Sequence, residues 1–188
     1  MAPRVFVITG PSGVGKGTLI RGLLERVPGL ELSVSATTRE PRTGEEPGRD
    51  YHFLTPEEFA ERADAGDFLE HATFSGNRYG TLRSEIERTL DAGTSVVLEI
   101  EVQGARQVRA AMGDEAVLIF IAPPSPEVLR ERLAGRGTDS DAAIERRLET
   151  AKQELEALQE FKHVVVNDEI ENALGELEEI VRDELGAE

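Results

Sequence analysis

Residues Gly10 to Thr18 read GPSGVGKGT, and the reading of this stretch decides the fold. Ahead of it, Val5, Phe6, Val7 and Ile8 form a continuous apolar run with β-branched members, which suits a parallel strand covered on both faces. Behind it, Leu19, Ile20, Leu23, Leu24 and Val27 recur at three- and four-residue intervals, the period of a helix with one buried stripe. A glycine-rich loop between a strand and a helix makes a phosphate cradle. Glycines let the backbone curl around an anion, successive N–H groups turn inward, and the helix N-terminus adds partial positive charge. Lys16 supplies a mobile charge for the β and γ phosphates of a nucleoside triphosphate. The usual motif has Ser or Thr directly after the lysine. Here Gly17 intervenes and the hydroxyl arrives one residue late, on Thr18, so the metal ligands stay open.

Composition sets the outer bounds. A chain of 188 residues is long enough to bury a real core and is most simply one domain with smaller inserted subdomains. It has no cysteine, which removes disulfides, thiolate metal sites and thiol nucleophiles. No apolar run approaches the roughly 20 residues of a membrane span, and MAPRVFVITG leads straight into the first strand pattern, so neither a signal peptide nor a membrane partner is expected. A cytoplasmic protein is the expectation. The net charge of −16 argues against nucleic acid as a partner. Lys16, Lys152 and Lys162 are the only lysines among 21 basic residues, and a local arginine cluster still suits a small anion inside an acidic molecule. Oligomeric state is not readable.

Working outward from the loop, residues 33–53 (SVSATTREPRTGEEPGRDYHF) carry Arg39, Arg42 and Arg49 with hydroxyls, prolines and almost no large apolar side chain before Tyr51. The segment reads as exposed and partly extended, with Arg39, Arg42 and Tyr51 as a clamp for a monoester phosphate. Thr55-Pro56-Glu57-Glu58 starts a helix. Phe68 to Phe74 and Asn77 to Thr81 form a hairpin that gathers Glu70, Tyr79 and Thr81, where the carboxylate is the acceptor that a purine amide and amino edge needs. The next buried strand, Ser95 to Ile100, ends in acid. Alternation puts Glu99 and Glu101 on one side of its C-terminal edge, where ligands of open α/β sheets collect; holding Mg²⁺ waters and contacting an acceptor nucleotide both remain open. After the strand Ala116 to Ile121, the run RERLAGRGTDSDAAIERRL spreads Arg132, Arg136 and Arg147 over two helical segments, a layout for a lid over phosphates. His163 to Val166 is the last strand, with Asn167 at its end, and Ile170 to Leu185 the last helix.

Together GPSGVGKGT, SVSATTREPRTGE with GRDYHF, FLEHATFSGNRYGT, LEIEVQGA, RLAGRGTDSD with IERRL, and VVND resemble the guanylate kinase family in the family's own order, over essentially the whole chain. The resemblance implies a P-loop three-layer α/β/α fold with a central parallel sheet, an inserted small mixed α/β GMP-binding subdomain and a helical lid. The expected division is core 1–32, 84–124 and 146–188, GMP-binding subdomain 33–83 and lid 125–145. It implies Mg²⁺-dependent phosphoryl transfer from ATP to GMP, and to dGMP, in purine nucleotide metabolism. By the same resemblance Gly10, Pro11, Ser12, Gly13, Val14, Gly15, Lys16, Gly17, Thr18, Arg132, Arg136 and Asn167 would bind ATP. Ser35, Arg39, Arg42, Tyr51, Glu70, Tyr79, Thr81 and Glu99 would bind GMP. Lys16, Arg39, Arg132, Arg136 and Arg147 would serve the transferred group. The alternative reading is a catalytically inactive guanylate-kinase-like interaction module, a class expected to have eroded the loop or the arginines that are intact here.

Overall fold

The computed structural model describes residues 2–135 and 141–186. The apolar run predicted as the first strand is β1 (Val5–Thr9), buried along its whole length. It is the middle of a five-stranded, all-parallel sheet with β2 (Leu30–Leu32), β7 (Ser95–Glu99), β8 (Ala116–Ala122) and β9 (His163–Val166), in the order β2-β7-β1-β8-β9. Strand alternation divides the apolar side chains between two faces. Phe6 and Ile8 pack against α1 (Lys16–Arg26) and α7 (Ile170–Leu185) through Leu19, Ile20, Leu23, Leu174, Leu177 and Val181. Val5 and Val7 face α3 (Arg83–Asp91) and α4 (Val102–Met112) through Ile86, Val102, Ala105 and Val108. The result is the expected three-layer α/β/α core.

A second, mixed sheet of four strands projects from this core in the order β4-β3-β6-β5: β3 (Ala36–Thr37), β4 (His52–Phe53), β5 (Phe68–Phe74) and β6 (Asn77–Leu82). Its own small core is Ala36, Phe59, Phe68 and Leu82, with Phe59 supplied by α2 (Pro56–Asp64). The α2 start is the capping box expected of Thr55 and Glu58, with Pro56 at the first turn. The reading of residues 33–53 as an exposed segment needs correction at its two ends. Ala36 and Thr37 are fully buried because they pair with Gly80 and Tyr79 of the hairpin, and His52 and Phe53 pair with them in turn. Long-range pairing, absent from the local pattern, buries Ala36 and Thr37 and leaves His52 and Phe53 half-buried.

After β8, Ser125 caps α5 (Pro126–Ala134), which packs on α6 (Asp141–Glu156) through Leu129, Leu133, Ile144 and Ala151. The sequence reading of the lid also includes residues 136–140, which lie outside the described residues. Among the described residues no helix is long and apolar enough to cross a membrane.

Candidate active site

The phosphate loop follows β1 directly, and its glycines are required by both backbone angle and space. Gly10, Gly13 and Gly15 have φ of +144°, +88° and +103°, the left-handed region where a Cβ is strained. A Cβ at Gly10 would collide with the Ile121 carbonyl of β8. One at Gly13 would meet Leu133 of α5 at 2.7 Å, and one at Gly15 would meet Asn167 Nδ2 at 2.6 Å. Gly17 differs, since the nearest side-chain atoms a Cβ there would meet belong to Arg21 and the Glu99 carboxylate, at 3.8 to 4.0 Å, ordinary contact distance.

α1 begins at Lys16 with no side-chain cap and no acidic residue in its first turn, so its N-terminal field is open to an anion. Lys16 is buried, and its Nζ donates to the carbonyls of Gly10 at 2.5 Å and Pro11 at 3.3 Å. Thr18 is exposed, and its Oγ1 accepts from Arg21 at 3.3 Å. The loop is tied from behind at one carbonyl. Val14 O accepts from Asn167 Nδ2 at 2.8 Å and from Arg132 at 3.3 Å, while Arg132 also donates to Asn167 O at 2.8 Å. Asn167 and Arg132 thus brace the loop against the ends of β9 and α5.

Opposite the loop, the hairpin brings Glu70 and Thr81 into register as a cross-strand pair. The Thr81 hydroxyl donates to Glu70 Oε1 at 2.7 Å, and both side chains are buried. Burial pushes the Glu70 carboxyl above its ordinary pKa, partly opposed by the bonds from Thr81. Between loop and hairpin, Glu99 stands at the end of β7 in the cleft. Its side chain is exposed to the cleft, yet the protein crowding around it raises its pKa; Lys16 and Arg21 oppose the shift and Glu101 adds to it.

A cavity of about 610 Å³ joins these groups. Pro11, Ser12, Gly13, Gly15, Lys16, Gly17 and Thr18 line its loop end, Ser35, Tyr51, Glu70 and Tyr79 its far end, and Glu99 the stretch between. Its volume is that of an ordinary small-molecule site. Thr81 stands behind Glu70. Arg39 and Arg42 lie beyond the lining: Arg39 packs on the Tyr51 ring at 5.2 Å and pairs with Glu45 at 2.8 Å, and Arg42 is exposed with its backbone N–H on the other Glu45 oxygen at 2.8 Å. The Tyr51 and Tyr79 rings meet edge-on at 6.2 Å, and burial raises the Tyr51 hydroxyl's pKa.

Against this geometry, a family model described as guanylate kinase matches residues 2–184. The chain belongs to the guanylate kinase family. Its relatives of about half identical sequence make it an ATP:GMP phosphotransferase, a nucleoside monophosphate kinase. A guanylate kinase of Prochlorococcus marinus is 54% identical over 178 residues, covering 95% of this chain and 94% of that one. The guanylate kinase of Rubrobacter xylanophilus is 54% identical over 179 residues, 95% of this chain and 93% of its own length. Among solved structures, guanylate kinase from Anaplasma phagocytophilum superposes with a TM-score of 0.77 at 34% identity, covering 97% of this chain and 86% of that one.

Three features of this guanylate kinase family member escape the motif reading. Glu45 closes the SVSATTREPRTGE segment, but nothing in that segment says that its carboxylate binds both Arg39 and Arg42. Glu154 of α6 faces Glu101, 53 positions earlier in the chain, and burial, with that carboxyl as its neighbour, pushes its pKa up to about 8. Gln107 of α4 binds the backbone of β5. Of the three arginines expected to serve a lid, Arg132 and Arg147 are described, with Arg147 partly buried on α6; Arg136 lies outside the described residues.

Proposed function

We propose that the chain transfers the γ-phosphoryl group of ATP to GMP, and to dGMP, giving ADP and the nucleoside diphosphate, and thereby recycles guanine nucleotides in purine metabolism. The observation that carries this reading is a cavity with an anion cradle at one end and a buried carboxylate at the other. Such a cavity suits a donor's polyphosphate at Lys16 and an acceptor's base at Glu70.

In this reading residues 10–18 hold the ATP phosphates, Asn167 lies beside the adenine, and Ser35, Glu70 and Thr81 read guanine. Glu70 accepts from the ring N–H and amino group. A base lacking those donors leaves a buried carboxylate unpaired, which is the costly kind of mismatch. Arg39, Arg42, Tyr51 and Tyr79 hold the acceptor phosphate. Its attacking oxygen is aligned with the γ-phosphorus, and no covalent enzyme intermediate is needed. Lys16 lets go of the Gly10 and Pro11 carbonyls and donates to the ATP phosphates instead, and Arg132, Arg136 and Arg147 approach from the lid side. The core comprises 1–32, 84–124 and 146–188, the GMP-binding subdomain 33–83 and the lid 125–145; closing them excludes water that would otherwise take the phosphoryl group.

Mg²⁺ accompanies ATP in this proposal. Among the described residues no cluster of three or more His, Cys, Asp or Glu forms a protein-only metal cage. One carboxylate beside a phosphate cradle nevertheless fits an ion that takes one or two carboxylates, waters and substrate phosphates. Glu99, beside Gly17, is such a carboxylate, and the Thr18 hydroxyl lines the loop end of the same cavity. When bound, the ion neutralises charge on the β and γ oxygens.

A coupled assay of ADP release with ATP, Mg²⁺ and each of GMP, dGMP, AMP, CMP and UMP tests the proposal. Turnover confined to guanine nucleotides is expected. Equal turnover with AMP, or none with any acceptor, would overturn it.

A further inference from the structure

β5 is the outer strand of the small sheet, so one of its edges lacks a strand partner. At His71, directly after Glu70, that edge is met by a side chain of the main core. The Gln107 Oε1 accepts from His71 N at 3.2 Å, and Gln107 Nε2 donates to His71 O at 2.9 Å. The amide of Gln107 thereby satisfies both backbone groups, as a neighbouring strand would, and fixes where β5 lies along α4. One turn earlier on the same helix face is Gly104. A Cβ there would collide with Glu70 Oε2 and lie 3.0 Å from Glu70 Cδ. The Glu70 carboxylate is therefore set from three sides. Thr81 holds Oε1, the missing side chain of Gly104 leaves the slot for Oε2, and Gln107 anchors the backbone one residue on.

We infer that Gly104 and Gln107 of α4 are positioning residues for base selection, holding the Glu70 carboxylate at the angle and depth at which it meets a purine's ring N–H and amino donors. The inference deepens the guanine-reading role proposed for Glu70 and rests on it. Gln107 acts through the β5 backbone that carries Glu70, and Gly104, which lines the cavity beside it, acts through the Glu70 carboxylate that an added Cβ would displace. The Gly104 contact also separates this role from a merely structural one. The atom displaced by an added methyl is the end of a flexible side chain, and alanine is a better helix former than glycine. Gly104→Ala should thus fold at least as well as the parent while moving the carboxylate.

The test is kcat/KM for GMP against IMP, which lacks the exocyclic amino group, in the full-length parent and in Gly104→Ala, Gln107→Leu, Glu70→Gln and Glu70→Gln/Gln107→Leu, with melting temperatures alongside. Gly104→Ala and Gln107→Leu should each lower the GMP:IMP ratio by about tenfold or more, the scale on which misplaced polar contacts cost discrimination. The KM for ATP should not change. The double variant should be no less selective than Glu70→Gln alone, because Gln107 acts through Glu70. A ratio within twofold of the parent in Gly104→Ala, or losses that multiply in the double variant, would overturn the inference while leaving the role of Glu70 intact. An unchanged ratio in Glu70→Gln would overturn the guanine-reading role itself and the inference with it. If Gln107→Leu does not fold, Gly104→Ala decides.

Discussion

Glu45 grips Arg39 through a 2.8 Å ion pair, and its second oxygen takes the backbone N–H of Arg42, so one carboxylate shapes both halves of the proposed phosphate clamp. Arg39, with the bonds from Arg42 as a second cause, holds the Glu45 carboxyl below its ordinary pKa. Glu45→Ala should raise the KM for GMP by roughly tenfold, the scale of a charge-assisted bond, while the KM for ATP stays put. Steady-state kinetics with each substrate varied in turn would check this, and equal increases in both constants would count against a local bracing role.

Lys16 is held near the loop by the carbonyls of Gly10 and Pro11. Lys16→Ala should lower kcat by about 10² to 10³, as removal of a preorganised transition-state contact does. GMP affinity, measured by calorimetry, should change little. An unaltered kcat would remove Lys16 from the transfer step.

Neighbouring glycines of the loop should respond in opposite ways. Gly15→Ala puts a Cβ 2.6 Å from Asn167 Nδ2 at a φ of +103°, and should cost about 1 to 3 kcal/mol, visible as a lower melting temperature. Gly17→Ser has room for its Cβ beside Glu99 and should leave the melting temperature within error. Its hydroxyl should also lower the Mg²⁺ concentration needed for half-maximal activity. A titration of rate against Mg²⁺ would show no shift if residue 17 does not face the ion.

Glu154 gives stability a pH dependence of definite sign. Its carboxyl is pushed up to about 8, chiefly by burial and then by Glu101, against an unfolded value of about 4.3. The folded chain therefore keeps a proton that the unfolded chain gives up. This contribution is complete below about pH 4.3 and is lost as pH rises through 8. Glu154→Gln, which stays neutral, should gain melting temperature relative to the parent progressively from pH 5 to 8.5. A constant difference across that range would show that Glu154 ionises normally.

How much was legible in the sequence follows the range of the interactions. The phosphate loop was readable because its chemistry is local, set by glycines and a lysine at fixed spacing. Strand β9 and helix α7 begin and end where their patterns do. The Glu70 and Thr81 pair was readable because a hairpin makes neighbours of residues close in sequence. The two-residue strands β3 and β4 were not, since their partners lie far along the chain and two residues carry no period. Glu154 and Gln107 looked like ordinary polar positions on amphipathic helices. What distinguishes them is the group across the gap, Glu101 for one and the His71 backbone for the other.

Between Phe68 and Glu70 the pairing with β6 slips, and Leu69 is the extra residue. The slip lets three consecutive buried side chains go separate ways: Phe68 into the core of the small sheet, Leu69 into the main core under α4, and Glu70 onto Thr81 and the cavity. Removing one residue here would restore plain alternation, detach the strand from the main core and swing the carboxylate out of its slot. At this point of the chain the residue count is therefore held more tightly than the side chains, and natural variation among relatives should substitute residues here well before it inserts or deletes one.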